Sequence, residues 1–176
     1  MAPEQELDGR LKKVRRKRGV RRLALRLALT AGAVYLLLGV VFGLAVVRGD
    51  SMSPTLREGD LALFLRIVPR YQAGDVVLVE QDGEELVKRV VALPGQTVDI
   101  DGQTGTLLVD GTPLSEPYLT EATYPKEGIS YPLTLGEDEY FVLGDHRENS
   151  RDSRNYGPVT GARLDGKLLL LLRRQG

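Results

Sequence analysis

Residues 84–100 read Glu84-Glu85-Leu86-Val87-Lys88-Arg89-Val90-Val91-Ala92-Leu93-Pro94-Gly95-Gln96-Thr97-Val98-Asp99-Ile100. Aliphatic and β-branched residues fill both ends, and Pro94-Gly95 between them is a turn pair. Strands are predicted over 84–93 and 97–100. The same texture runs outward, with short Val, Leu and Ile runs cut by Gly, Pro and Asp. Further strands are predicted over 61–66, 75–80, 106–109, 139–143 and 167–172, and Asp110-Gly111 is another turn signal. No amphipathic helix of convincing length interrupts them. The leucine run at 168–172 is too short to cross a bilayer and reads as a buried strand. Residues 48–176 are thus expected to form one compact, mainly β, antiparallel domain.

Upstream the texture changes. Residues 27–47, LALTAGAVYLLLGVVFGLAVV, carry no charge. At about 1.5 Å per residue this run makes a helix of roughly 31 Å, matching a hydrocarbon core of about 30 Å. Residues 1–26 hold ten Lys or Arg against three acids, whereas only Arg48 follows the run closely. The positive-inside rule then gives a cytoplasmic basic segment over 1–26, a single transmembrane helix over 27–47 and an extracytoplasmic domain over 48–176. The expected location is the plasma membrane, with membrane lipid as a partner. The formal net charge of zero conceals this split, because residues 48–176 hold fourteen basic and twenty-one acidic residues.

Other readings of the basic, then apolar, start are weaker. A nucleic-acid-binding arm would not run straight into an apolar span, so no nucleic-acid partner is expected. A cleaved leader usually has an apolar region of about 7–15 residues and small residues at its exit. Here the exit is Val46-Val47-Arg48. A buried core helix would be an unusual use of so long an uncharged run. The chain has no cysteine and one histidine, His146. That excludes disulfides and thiolate metal sites, and a structural zinc site needs about four Cys or His ligands. Neither a metal nor a cofactor is expected.

Three stretches carry chemistry. In the 84–93 strand, alternation puts Leu86, Lys88, Val90 and Ala92 on one face and Val87, Arg89, Val91 and Leu93 on the other. Either way a base lies among apolar neighbours. It could be a snorkelling side chain on an edge strand. It could also be a desolvated amine. A water-exposed lysine is neutral in only about one molecule in 2,500 at pH 7, but burial lowers its pKa by several units. Arginine cannot be recruited this way. If one of the pair is a base, it is Lys88. The second stretch is Gly49-Asp50-Ser51-Met52-Ser53-Pro54-Thr55-Leu56, four residues past the apolar run at Ser51. Alone it is a polar turn. The third, Gly144-Asp145-His146-Arg147-Glu148-Asn149-Ser150-Arg151-Asp152-Ser153-Arg154-Asn155-Tyr156-Gly157, alternates acids and arginines. It reads as a solvated loop or as a fixed ion-pair network.

Together the stretches resemble the bacterial type I signal peptidases, membrane-bound Ser-Lys proteases. The order agrees: an anchor, G-D-S-M-x-P-T-L, Gly59-Asp60-Leu61-Ala62-Leu63, K-R-V-x-x-L-P-G, then G-D-x-R-x-N-S-x-D-S-R. The segment from Asp110 to Leu119 is also similar, so the likeness covers nearly all of residues 27–172. It implies Ser51 as the acyl-forming nucleophile and Lys88 as general base. It implies that Ser150 positions the lysine amine and that Asp152 and Arg154 form a buttressing ion pair, with Asp145 and Arg147 in the same box. Val47, Met52, Leu56, Leu86 and Val87 are implied to line shallow pockets that accept Ala-x-Ala cleavage sites of secretory preproteins. The Ser51 amide is the implied oxyanion donor. Some members have a serine two residues before the nucleophile to assist; here Gly49 stands there. His146 replaces an Asn common in the family and admits a Ser-His alternative. The expected activity is signal-peptide removal. The alternatives are a specialised relative that processes one exported precursor, and a catalytically silent, membrane-anchored peptide-binding scaffold.

Overall fold

A computed structural model describes residues 3–68, 70–119 and 121–173, with side chains from residue 19 onward. The chain divides at Val41 into two units. The first is one helix, α1, Pro3–Val41. Its Gly19–Val41 stretch of 23 residues is long and apolar enough to cross a membrane, and none of its apolar window is buried.

The second unit begins with a strand, β1 (Phe42–Val46). The apolar run expected to be helical to Val47 therefore ends its helix at Val41. The reason is pairing: β1 lies antiparallel to β2 (Leu61–Leu65), in register from Phe42 opposite Leu65 to Val46 opposite Leu61. Hydropathy could not separate the two states. In β1, Ala45 packs toward the core, while Leu44 and Val46 on the other face are apolar yet exposed.

The remaining strands are β3 (Val76–Gln81), β4 (Glu84–Ala92), β5 (Thr97–Ile100), β6 (Leu107–Val109), β7 (Thr112–Pro113), β8 (Leu133–Thr134), β9 (Glu139–Leu143), β10 (Val159–Thr160) and β11 (Leu164–Leu172). A short helix, α2 (Ser153–Tyr156), interrupts the charged stretch. The mainly β, antiparallel fold class is as expected. The strands form a seven-stranded sheet, β1-β2-β11-β3-β4-β9-β10, and a four-stranded one, β7-β6-β5-β8. The Asp110-Gly111 turn forms, with both residues at positive φ. The two-residue strands β7, β8 and β10 were too short to register as sequence patterns.

Three apolar clusters fill the interior. Val91, Val98, Leu107 and Phe141 form the one that joins the small sheet to the large. Val77, Val79, Val90 and Val142 form a second. The third bears on function, because Met52 and Leu56 join Val47, Ala62, Phe64 and Leu78 there. The leucine run of β11 departs from expectation: Leu169, Leu170 and Leu172 are exposed. Leu170 and Leu172 lie opposite Leu63 and Leu61, whose other neighbours are Leu44 and Val46. One face of three adjacent strands is thus apolar and uncovered.

Phe64 is fully buried at the centre of the third cluster. Phe64→Ala should destabilise the domain by about 3–5 kcal/mol. Urea unfolding in detergent, followed by intrinsic tyrosine fluorescence, measures it.

Candidate active site

The nucleophile candidate is placed by what flanks it. Met52 is 2% exposed and Leu56 is fully buried, and both plug into the cluster beneath β1 and β2. A single helical turn joins them, with the Leu56 amide donating to the Met52 carbonyl at 2.9 Å. The base of the loop is closed by two further bonds, Val47 N–H to Asp60 O and Gly59 N–H to Val47 O. Ser51 rides on this pinned turn, half-buried. Gly49 precedes it at a φ of 72°, the left-handed region that favours glycine. The Ser51 and Gly49 amides donate to no acceptor among the described residues.

Lys88 comes from β4 and is 2% exposed. Its Nζ lies 2.8 Å from Ser51 Oγ and 2.9 Å from the Val87 carbonyl oxygen. It makes no ion pair among the described residues. Burial pushes its ammonium down to about 8; Asp152 and Asp145 pull against that, and Lys126 adds to it. Its neighbour Arg89 does the opposite. Its guanidinium forks onto Asp145 at 2.8 and 2.6 Å, and stacks over the Tyr118 ring at 4.1 Å. Strand alternation thus gives one base a carboxylate and leaves the other only a hydroxyl and a carbonyl.

The charged stretch is a buried network, not a solvated loop. Asp152 caps α2 and takes the Arg154 guanidinium at 2.9 Å on each oxygen. Burial pushes the Asp152 carboxyl up, but Arg154, the Gly144 amide and the adjacent Ser150 hydroxyl outweigh it, and the group lies below its ordinary range. Arg147 is 1% exposed and forks onto Glu116 at 2.9 and 2.6 Å. Asp145 therefore pairs with Arg89, and Arg147 with Glu116; the two do not pair with each other. Arg89, Glu116 and Tyr118 are members that sequence reasoning did not single out. The Glu116-Pro117-Tyr118 segment was the available signal.

Ser150 is 4% exposed and sits against the nucleophile turn. A Cβ on Gly144 would lie 2.1 Å from Ser150 Oγ and 2.5 Å from the Ser51 carbonyl oxygen, so both pack directly on that glycine. The expected bond from Ser150 to Lys88 does not form. The amine is occupied by Ser51 and Val87, and the Ser150 hydroxyl lies beside Asp152 without meeting full hydrogen-bond geometry to any group. His146 gives its backbone amide to the Ser51 carbonyl at 3.0 Å, while its ring lies between Asp50 (3.3 Å) and Glu121 (3.6 Å). The hydroxyl of Ser51 has Lys88, not His146, as its partner.

A groove of about 810 Å³ opens beside Ser51 and Lys88. Val47, Met52, Leu86 and Val87 line it; Leu56 does not, because it is packed underneath. Two strand edges flank the groove. β1 pairs only with β2, and β9 covers β4 only from Arg89 onward, leaving Glu84 to Lys88 open on that side. Among the described residues, no cluster of acids or His could hold a metal ion.

Gly144→Ala should collapse this arrangement, because the neighbours are a backbone oxygen and a buried side chain that cannot yield. The expected outcome is loss of peptide cleavage by at least about tenfold with a lowered melting temperature, read by an activity assay beside thermal unfolding.

Comparison with known proteins agrees. The family described as "Signal peptidase, peptidase S26" matches residues 20–172. Signal peptidase I of Bacillus licheniformis is 39% identical over 123 residues, covering 62% of this chain and 64% of that protein. The chain thus aligns with less than two thirds of that relative's length. Signal peptidase I S of Bacillus subtilis is 30% identical over 153 residues, covering 81% and 82%. A crystal structure of a signal peptidase I from Enterococcus faecalis superposes with a TM-score of 0.50 at 34% identity, covering 58% of this chain and 99% of that one. A buried lysine on a serine, in a domain of this topology and with a family match over residues 20–172, leaves one conclusion: the chain belongs to the signal peptidase family, peptidase S26.

Proposed function

We propose that this chain is a membrane-bound serine endopeptidase that removes signal peptides from secretory preproteins, with Ser51 as nucleophile and Lys88 as general base. The observation that carries this reading is the 2.8 Å contact between Ser51 Oγ and a buried amine whose pKa burial lowers to about 8. Neutral Lys88 takes the Ser51 proton as Oγ attacks the carbonyl carbon of the scissile bond. The Ser51 amide, with the Gly49 amide close by in the chain, stabilises the oxyanion. The resulting ammonium, a stronger acid than an exposed lysine, protonates the leaving amine. Water then attacks the acyl-enzyme, again giving its proton to Lys88. Asp152, Arg154, Asp145 and Arg147 hold the walls, and Ser150 packs against the dyad.

The substrate enters extended. The open edges of β1 and of residues 84–88 offer unpaired backbone groups to an added strand. Val47, Met52, Leu86 and Val87 make apolar walls suited to small side chains such as those of an Ala-x-Ala site. Lipid is the second partner. The Gly19–Val41 stretch of α1, about 34 Å long with Arg21, Arg22 and Arg26 near its start, passes as a span by length and composition, and the basic residues at and before that start favour a cytoplasmic N-terminus. The uncovered leucine face of β1, β2 and β11 supports a catalytic domain that rests on the outer membrane surface. Anchored there, the enzyme meets tethered substrates at raised effective concentration.

With a purified preprotein in detergent, Ser51→Ala and Lys88→Ala should each lose about 10³-fold or more of cleavage, while His146→Ala retains it. Cleavage by Lys88→Ala together with failure of His146→Ala would instead establish a Ser-His pair. The pH profile follows from the sign of the shift. Lys88 is protonated and inactive below its folded pKa, so kcat/KM should rise through a limb near 8 and level off above it. A flat profile from about pH 5 to 9 would rule out Lys88 as the base.

A further inference from the structure

Lys126 stands outside every motif considered above, on the connection between β7 and β8. Its Nζ donates to the Ser150 carbonyl oxygen at 2.5 Å, across 24 residues of sequence. No other described group bonds that carbonyl. Two arginines also reach this connection: Arg147 bonds the Thr123 hydroxyl and Arg154 bonds the Tyr124 carbonyl. Lys126 is therefore a third cation brought to the same wall, where Ser150 and Asp152 face the Ser51–Lys88 pair.

A carbonyl needs only a donor, and a neutral amide would serve it. Placing an ammonium beside Arg154 costs electrostatic energy, and burial of the surroundings reduces the screening of that cost. Burial and Arg154 accordingly push the Lys126 ammonium down, with Asp152 opposing. The charge has a use if it acts on a second amine. Lys126 is a cation whose charge acts on Lys88 in the direction opposite to Asp152 and Asp145.

We propose that Lys126 is a positioning residue for the Ser51–Lys88 pair: it clamps the Ser150 segment against the dyad and brings a positive charge to that wall. This inference rests on Lys88 being the base. It does not make Lys126 a catalytic residue, since it touches the wall and not the reacting atoms.

Three variants of the full chain in detergent separate donor from charge. Lys126→Gln keeps a donor without the charge, Lys126→Arg keeps the charge, and Lys126→Met removes both. The kcat/KM profile of each against a preprotein, with its melting temperature, is the measurement. In Lys126→Gln and Lys126→Met the alkaline-rising limb should move to higher pH. The loss should be about two- to fivefold at pH 7, and for Lys126→Gln it should vanish on the alkaline plateau. Lys126→Arg should keep the parental limb. High salt should raise the parent's limb more than that of Lys126→Gln, because a partly exposed charge is screened. If Lys126→Gln keeps the parental limb, the inference is overturned, whatever happens to its melting temperature. A parent without any such limb would overturn the Lys88 assignment itself, and this inference with it.

Discussion

The structure turns on burying one amine where its charged form is disfavoured. Lys88 is almost fully buried, and the acceptors within its reach are a serine hydroxyl and its neighbour's carbonyl. A carboxylate in contact with it would restore the charge and abolish the base. The nearest acids are accordingly engaged elsewhere: Asp145 by Arg89 and Asp152 by Arg154. The arginines thus do two jobs. They compensate buried carboxylates, and they withhold those carboxylates from the lysine.

This explains why so much charge is buried in a small domain. Replacing a buried pair by apolar residues is often neutral or stabilising, so such pairs are weak evidence for stability as such. Breaking one by removing a single partner costs about 3–5 kcal/mol. The network is better understood as a rigid frame. Arg147 ties Glu116, Thr123 and the Gly144 carbonyl together, and Arg154 ties Asp152, Tyr124 and the Arg147 carbonyl. Gly144 lets this frame approach the Ser51 turn until no side chain fits between them. The dyad distance is set by the frame on one side and by Met52 and Leu56 in the core on the other.

The same economy links anchor and site. One uninterrupted apolar run ends as the helix at Val41, continues as edge strand β1 and reaches Val47 at the groove wall, four residues before Ser51. The edge of β1 that the nucleophile loop follows is unpaired, as is the segment of β4 before Lys88. A strand edge is ordinarily a liability for aggregation. Here two such edges face one groove, where an extended peptide would satisfy both.

How much of this could be read from the chain depended on the range of the interaction. Strands from β2 to β6, β9 and the Asp110-Gly111 turn were legible, because period-two alternation and glycine conformation are local. The apolar span and its basic flank were legible for the same reason, but its end at Val41 was not: whether 42–47 winds or extends is decided by pairing with β2, and hydropathy is blind to pairing. Lys88 was legible as the only candidate base of its strand, since arginine cannot give up its proton. Of the charge pairs, Asp152 with Arg154 was legible and forms, but the long-range partners were not. Asp145 and Arg147 were placed in the same box without partners, and each binds a residue more than thirty positions away. Ser150 packs beside the Ser51 turn without the bond to Lys88 that was expected of it, and Lys126 carried no pattern at all. Sequence alone thus determined the longer strands and the candidate reactive residues, which are properties of neighbouring residues. The tertiary structure decided the long-range pairs, Asp145 with Arg89 and Arg147 with Glu116, because burial and distance, which set the strength of a charge pair, exist only once distant segments have packed.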